Sequence, residues 1–221
     1  MAESSNDITY YYFDLFARGE TPRMILHYHG VDFKDERFSF ERWGEWKKDN
    51  ASSLPFGQLP CLEYKGKRIA QSNCIARFLC QLYGYYPKDL FEQADVEQVR
   101  EFINLDINED FNKSWFIQDS SQKEEYLNAF FKTRLPEKLA LLNKWIKKNG
   151  SNGFVIGNSI TLVDFILLDL GERILFHPHW AERAKTALEG LEDLKDYFKK
   201  RHEDPKWQEY IKKRVFPAIP M

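Results

Sequence analysis

The sequence predicts an α+β protein in which a mixed half of short strands and helices precedes an all-α helical half. Three observations carry this prediction. Aromatic and β-branched runs alternate with helical periodicity up to about residue 85, helical periodicity alone continues to about residue 214, and the turn-like Tyr85-Tyr86-Pro87 stands between them. With 43% hydrophobic and 16% aromatic residues, the 221-residue chain can fill one large core or two smaller ones, and it is too rich in core formers to be disordered.

The elements follow in order. Ile8 to Phe13 (ITYYYF) is a strand of aromatic and β-branched residues. Thr21 and Pro22 offer the start of a helix, Met24, Ile25 and Tyr28 recur at helical spacing, and Gly30 supplies the stop. Val31 to Phe40 alternates as a second strand, and Arg42 to Ser53 reads as a loop rich in Trp and Lys. Leu59 to Tyr64 and Arg68 to Ala70, joined by Lys65-Gly66-Lys67, form an antiparallel hairpin. Ser72 is a natural N-cap for a helix carrying Ile75, Ala76, Phe78, Leu79 and Leu82, ended by Gly84. The order βαβ-ββα is that of a thioredoxin-like N-terminal domain, placed at residues 1–86, and the helical domain is placed at 93–221.

Two helices of the second half are informative. Leu162 to Phe176 is apolar on almost every side and so belongs at the centre of its domain, and Thr161 with Asp164 forms a capping pair at its start. On the helix from Asp95 to about Trp115, a 100° advance per residue aligns Val99, Ile103, Asp106 and Asp110, which puts two carboxylates on an apolar stripe. Loops are expected at 118–122, 149–159 and 177–179.

Composition removes several functions. The 32 basic and 34 acidic side chains nearly cancel, so no one-signed field draws nucleic acid or an anionic bilayer. No window approaches a membrane span and the start MAESSNDITYYYF lacks a signal-peptide pattern, which predicts a soluble cytoplasmic protein. Cys61, Cys74 and Cys80 form no C-x-x-C pair, which excludes a dithiol redox mechanism. The pairs His27/His29 and His177/His179 have no thiolate close in sequence to complete a zinc set, and no metal site is assigned.

Tyr12-Phe13, Arg18, Glu20, Arg23, Trp43, Lys47, Pro55-Phe56-Gly57-Gln58-Leu59-Pro60 and Gln71-Ser72 together resemble the glutathione-binding domain of cytosolic glutathione transferases. Asn108-Glu109-Asp110-Phe111 and Gly157 to Asp164 resemble segments of the helical domain of that family, and the likeness is closest to its sigma class. The resemblance implies glutathione as co-substrate, with Tyr12 as the catalytic hydroxyl that stabilises its thiolate. A free thiol of pKa near ~8.5 is mostly protonated at neutral pH, and a drop of ~2 units corresponds to ~2.7 kcal/mol of preferential stabilisation. Strand alternation puts Tyr10 on the same face as Tyr12, which makes it the internal rival, and Tyr11 on the other.

The resemblance further implies that Gln58 and the Leu59-Pro60 cis turn present the Leu59 backbone to the cysteinyl residue, that Gln71 and Ser72 take the γ-glutamyl carboxylate, and that Arg18, Trp43 and Lys47 serve the glycine end. A longer stretch between Lys47 and Pro55 leaves Trp46 and Lys48 as alternatives. Asp110 matches the acid that reaches glutathione on the neighbouring subunit, which implies a homodimer, and Asp106, Glu109 and Asp110 resemble a cation-binding trio with Glu in the middle place. Phe13, Phe16 and Trp115 are the expected lining of a hydrophobic pocket for an electrophile or a lipid-derived substrate. Cys74, near a helix start, is a rival nucleophile. Conjugation or hydroperoxide reduction is the expected activity. A prostaglandin D isomerase and a non-catalytic crystallin-like member are the alternatives.

Overall fold

The computed structural model describes residues 7–214, which form two compact units. The first gathers the described residues up to Gly84 together with those from Lys206 onward, and the second runs from Tyr85 to Pro205. By contact, the described residues from Lys206 onward cluster with the first unit.

In the first unit, β1 (Ile8–Phe13), α1 (Glu20–His29), β2 (Lys34–Phe38), α2 (Phe40–Asn50), β3 (Cys61–Tyr64), β4 (Lys67–Ala70) and α3 (Ser72–Tyr83) build a four-stranded mixed sheet of order β2-β1-β3-β4. Strand β1 is parallel to β2 and antiparallel to β3. Its alternation buries Ile8, Tyr10 and Tyr12 on one face, as the sequence pattern predicts. Strand β2 (KDERF) lies at the sheet edge, where charged side chains discourage pairing with another chain. Helix α1 buries Pro22, Arg23, Met24, Ile25 and Leu26 and stops at Gly30, whose φ of 78° is the left-handed conformation glycine takes freely.

Two local expectations are corrected. The stretch read as a loop from Arg42 is helix α2, begun by Ser39, whose hydroxyl accepts from Arg42 N at 3.1 Å. It buries no residue, so it leaves no apolar stripe in the sequence. Helix α3 starts at Ser72 itself, and Gln71 occupies the capping place without a side-chain bond.

The second unit holds α4 (Leu90–Glu101), a π-helical stretch Phe102–Asn108, α5 (Glu109–Lys113), α6 (Ser120–Ala129), a π-helical stretch Phe130–Arg134 and α7 (Leu135–Lys148). It continues with α8 (Leu162–Leu170), a π-helical stretch Gly171–Leu175, α9 (Ala181–Ala184) and α10 (Glu192–His202). Every residue of α8 is buried. Asp164 accepts from Thr161 N at 2.7 Å, Thr161 Oγ1 at 2.9 Å and Val155 N at 3.0 Å, so the predicted capping pair is present. Asp119 caps α6 through Gln122 N, which shortens the expected loop at 118–122. The stripe read between Val99 and Asp110 holds at Val99, Ile103 and Asp110, which are buried, and fails at Asp106, which lies in the first π-helical stretch and is exposed while its neighbour Ile107 is buried. Helix α11 (Pro205–Lys213) belongs to the first unit.

Candidate functional site

Pairing register gathers the candidate residues of the first unit at one end of its sheet. Tyr11 pairs with Cys61 and Cys61 with Ala70, so Tyr12, Pro60 and Gln71, one residue beyond this row on each strand, leave the sheet on the same side. Phe13 pairs with Phe38, which sends α2 off the same end.

Tyr12 is 6% exposed, with the Phe13 ring edge-on at 5.6 Å and the Arg23 guanidinium 5.7 Å from its ring centre. Tyr10 is 0% exposed, and its hydroxyl meets no hydrogen-bond partner among the described residues. Burial pushes its phenol well above the ordinary range, and a fully enclosed hydroxyl has no route to a soluble thiol. Tyr11, on the opposite face, has its phenol raised by burial and by Glu63, to which it donates at 3.4 Å. Arg23 holds the turn after Tyr12. Its Nη1 donates to Leu15 O at 2.9 Å, its Nη2 to Phe13 O at 3.1 Å, and its Nε to Asp35 at 3.0 and 3.1 Å.

Leu59-Pro60 is a cis peptide, with Pro60 buried, Leu59 half-buried and Gln58 exposed. Gln71 is exposed and stands at φ 71° and ψ 115°, a strained conformation for a residue with a side chain, directly before the first turn of α3. Ser72 is half-buried beside it, and Cys74 is exposed. Helix starts with backbone N–H groups facing outward suit a carboxylate.

On α2, Trp43 stacks on Trp46 at 5.7 Å and the Lys47 ammonium lies 5.7 Å from the Trp43 ring centre. Trp46 also packs on Tyr11 and Phe38, at 5.9 and 5.2 Å, as Trp43 does on Phe38 at 5.7 Å, and Lys47, Lys48 and Arg18 are all exposed. Phe13 stays half-buried against Phe40 and Trp43. Phe16 is enclosed, with the Arg214 guanidinium 3.9 Å from its ring centre, so its ring faces the core of its own unit.

Asp110 and Trp115 belong to the second unit. Asp110 accepts from Arg134 Nε at 3.0 Å, Lys138 Nζ at 2.6 Å and the Tyr126 hydroxyl at 2.5 Å. Burial opposes its charge, but these bonds outweigh burial and bring its pKa down to about 2, while burial and Asp110 push the Tyr126 phenol up to about 12. Lys138 also donates to the Asp106 carbonyl. Among the described residues no group of three or more His, Cys, Asp or Glu is arranged to hold a metal ion. Trp115 is half-buried beside Phe111 and Trp180, with the Lys123 ammonium 5.0 Å from its ring centre.

Residues 8–81 match the family model for the glutathione S-transferase N-terminal domain, and residues 105–214 the model for the C-terminal domain. Glutathione S-transferase 2 of Manduca sexta is 32% identical over 209 residues, covering 92% of this chain and 95% of the relative. The chain belongs to the glutathione S-transferase family. Its activity class is that of a glutathione transferase, and glutathione is the family's co-substrate. The crystal structure of the transferase from Ascaris lumbricoides superposes with a TM-score of 0.78 at 30% identity, over 97% of this chain and 100% of the other. A prostaglandin synthase D of Nilaparvata lugens superposes with the same score at 25% identity, over 95% and 99%.

Within this transferase two site residues had no role assigned from sequence. Arg23 lies among the apolar residues Met24, Ile25 and Leu26 on α1, and a charge embedded in a buried helix face is the signal that marks it. Asp35, its partner from β2, sits in a charged strand where nothing distinguishes it from Glu36 or Arg37.

Proposed function

We propose that the chain conjugates glutathione to electrophiles, with Tyr12 donating a hydrogen bond that keeps the bound thiol ionised. The observation that carries this is the shared exit of Tyr12, cis Leu59-Pro60 and Gln71-Ser72 from one end of the sheet. The three parts correspond to the three needs of the substrate. The phenol serves the sulfur, the Leu59 backbone serves the cysteinyl residue, and the junction before α3 serves the γ-glutamyl carboxylate. Trp43 and Lys47 are assigned to the glycine carboxylate, because the Lys47 ammonium lies 5.7 Å from the Trp43 ring centre, which brings a cation and an indole together on α2. Arg18, exposed near this end, adds positive charge.

The chemistry is a nucleophilic displacement. The thiol proton leaves to solvent, the thiolate forms a carbon–sulfur bond, and the leaving group departs with its electron pair. A phenol that donates to sulfur favours the anion before the electrophile arrives, so more of the bound thiol is reactive at neutral pH. Phe13, half-buried against Phe40 and Trp43, is assigned to the apolar side of the electrophile site, and Phe16, enclosed under Arg214, supports from within the same unit. Asp110 has its oxygens taken by three side chains of its own chain, and we assign it first to holding α5 to α6 and α7. A sigma-class, cytoplasmic homodimer is the assembly this reading carries.

Tyr12→Phe tests it. With 1-chloro-2,4-dinitrobenzene the variant loses activity by about 10–100-fold, matching a rise of about one or two pKa units in the bound thiol. An unchanged rate and thiol pKa overturns the assignment. The similarity to a prostaglandin synthase D favours a second reading, isomerisation of a prostaglandin endoperoxide. Assaying that endoperoxide and a lipid hydroperoxide beside the chloride separates the activities, and a protein inert to all three is a non-catalytic member.

A further inference from the structure

The turn between β1 and α1 holds a glycine where its backbone does not ask for one. Ala17 takes φ 33°, a left-handed conformation that strains a residue with a Cβ. Gly19, two positions on, stands at φ −88° and ψ −17°, which any residue adopts. The reason for glycine at 19 lies in the Tyr12 ring. A Cβ on Gly19 would stand 2.6 Å from Tyr12 Cε1 and 2.7 Å from Cγ, and closer still to Cδ1. An aromatic ring cannot bend away as the end of a flexible chain does. The ring has little room to yield, because Tyr12 is almost wholly buried, Phe13 lies edge-on to it, and the nearby Arg23 guanidinium is fixed by Asp35 and by the Leu15 and Phe13 carbonyls.

We propose that Gly19 is a positioning residue for Tyr12: its missing side chain lets the ring lie on the bare backbone of the turn, and this contact sets where the phenol hydroxyl stands relative to the glutathione sulfur. The inference rests on the catalytic assignment of Tyr12 made above. A side chain at 19 displaces the ring, and a hydrogen bond weakens steeply with displacement and misalignment. The bound thiol then returns toward its ordinary pKa. Leu59, Gln71 and Ser72 keep their own contacts with glutathione, so binding is spared while turnover falls.

The test uses the full chain with glutathione and 1-chloro-2,4-dinitrobenzene, comparing Gly19→Ala, Tyr12→Phe and the double variant. Gly19→Ala is expected to lower kcat by about 10–100-fold with KM for glutathione within about twofold of wild type. The thiol pKa, read from the pH profile of kcat and from the ultraviolet absorbance of the bound thiolate, rises toward that of Tyr12→Phe. Once the hydroxyl is gone, adding Gly19→Ala raises it no further. A Gly19→Ala enzyme with wild-type kcat and thiol pKa overturns the proposal, and so does a loss of activity without a pKa change. The Tyr12 assignment fails separately, if Tyr12→Phe keeps the wild-type pKa and rate. Should Gly19→Ala not fold, combining it with Tyr12→Ala decides: removal of the ring restores folding if the ring is what the glycine accommodates, and continued failure overturns the proposal.

Discussion

Two buried aspartates of the second unit titrate in opposite directions, for reasons visible in their partners. Asp110 is surrounded by charged and phenolic donors and falls to about 2, whereas burial lifts Asp164, which has backbone and hydroxyl donors, to about 6. A depressed carboxyl contributes stability above its unfolded pKa of about 3.9, lost as pH falls toward the folded value. A raised carboxyl does the reverse, since the folded state takes up the proton first and gains stability as pH falls from about 6 to about 4. Urea unfolding of wild type against Asp110→Asn should therefore show a gap in favour of wild type that narrows from pH 5 to pH 2, checked over about pH 2–7. Against Asp164→Asn, the wild type should improve between pH 7 and pH 4. Gaps that do not change with pH refute both. At this scale the sequence displays Asp164 plainly, because a capping pair is local. The partners of Asp110 lie sixteen to twenty-eight positions further along the chain, and no local pattern announces them.

Among the elements, legibility tracked burial and glycine. Helices α1 and α3 declare their ends through Gly30 and Gly84, both in the left-handed conformation, and their faces through apolar spacing. Helix α2 declares neither, since it buries nothing and carries Gly44 inside it. The π-helical stretch after α4 misleads at a single position, because a 100° advance puts Asp106 on the buried stripe and the chain leaves that period between Phe102 and Asn108. The weak anchoring of α2 has a functional consequence, as Trp43 and Lys47 ride on it. Removing its cap by Ser39→Ala costs about 1 kcal/mol of local helix stability. The expected result is faster amide exchange across Phe40–Asn50 and a higher KM for glutathione, with kcat nearly unchanged. If exchange quickens while KM stays constant, α2 does not contribute to glutathione binding.

At the scale of the whole molecule, the chain closes its first unit with its last helix. Glu20 and the Arg214 side chain are each 1% exposed and lie 3.1 Å apart, and the Tyr210 hydroxyl also donates to Glu20. Helical periodicity to about residue 214 covers α11, yet periodicity states only that a face is buried and not against which core, and the structure buries Trp207 and Tyr210. Glu20 sits one residue after Gly19, so the helix that begins beside Tyr12 is tied to the far end of the chain. Arg23 also lies 3.8 Å from this carboxylate, so stripping Arg214 leaves Glu20 with one cation in place of two. Arg214→Met should cost about 1–3 kcal/mol in urea unfolding. Adding Glu20→Gln should recover part of that loss, since a neutral amide no longer needs the guanidinium. If the two substitutions simply add, the ion pair is not what fastens α11 to the first unit, and packing of Trp207 and Tyr210 holds it instead.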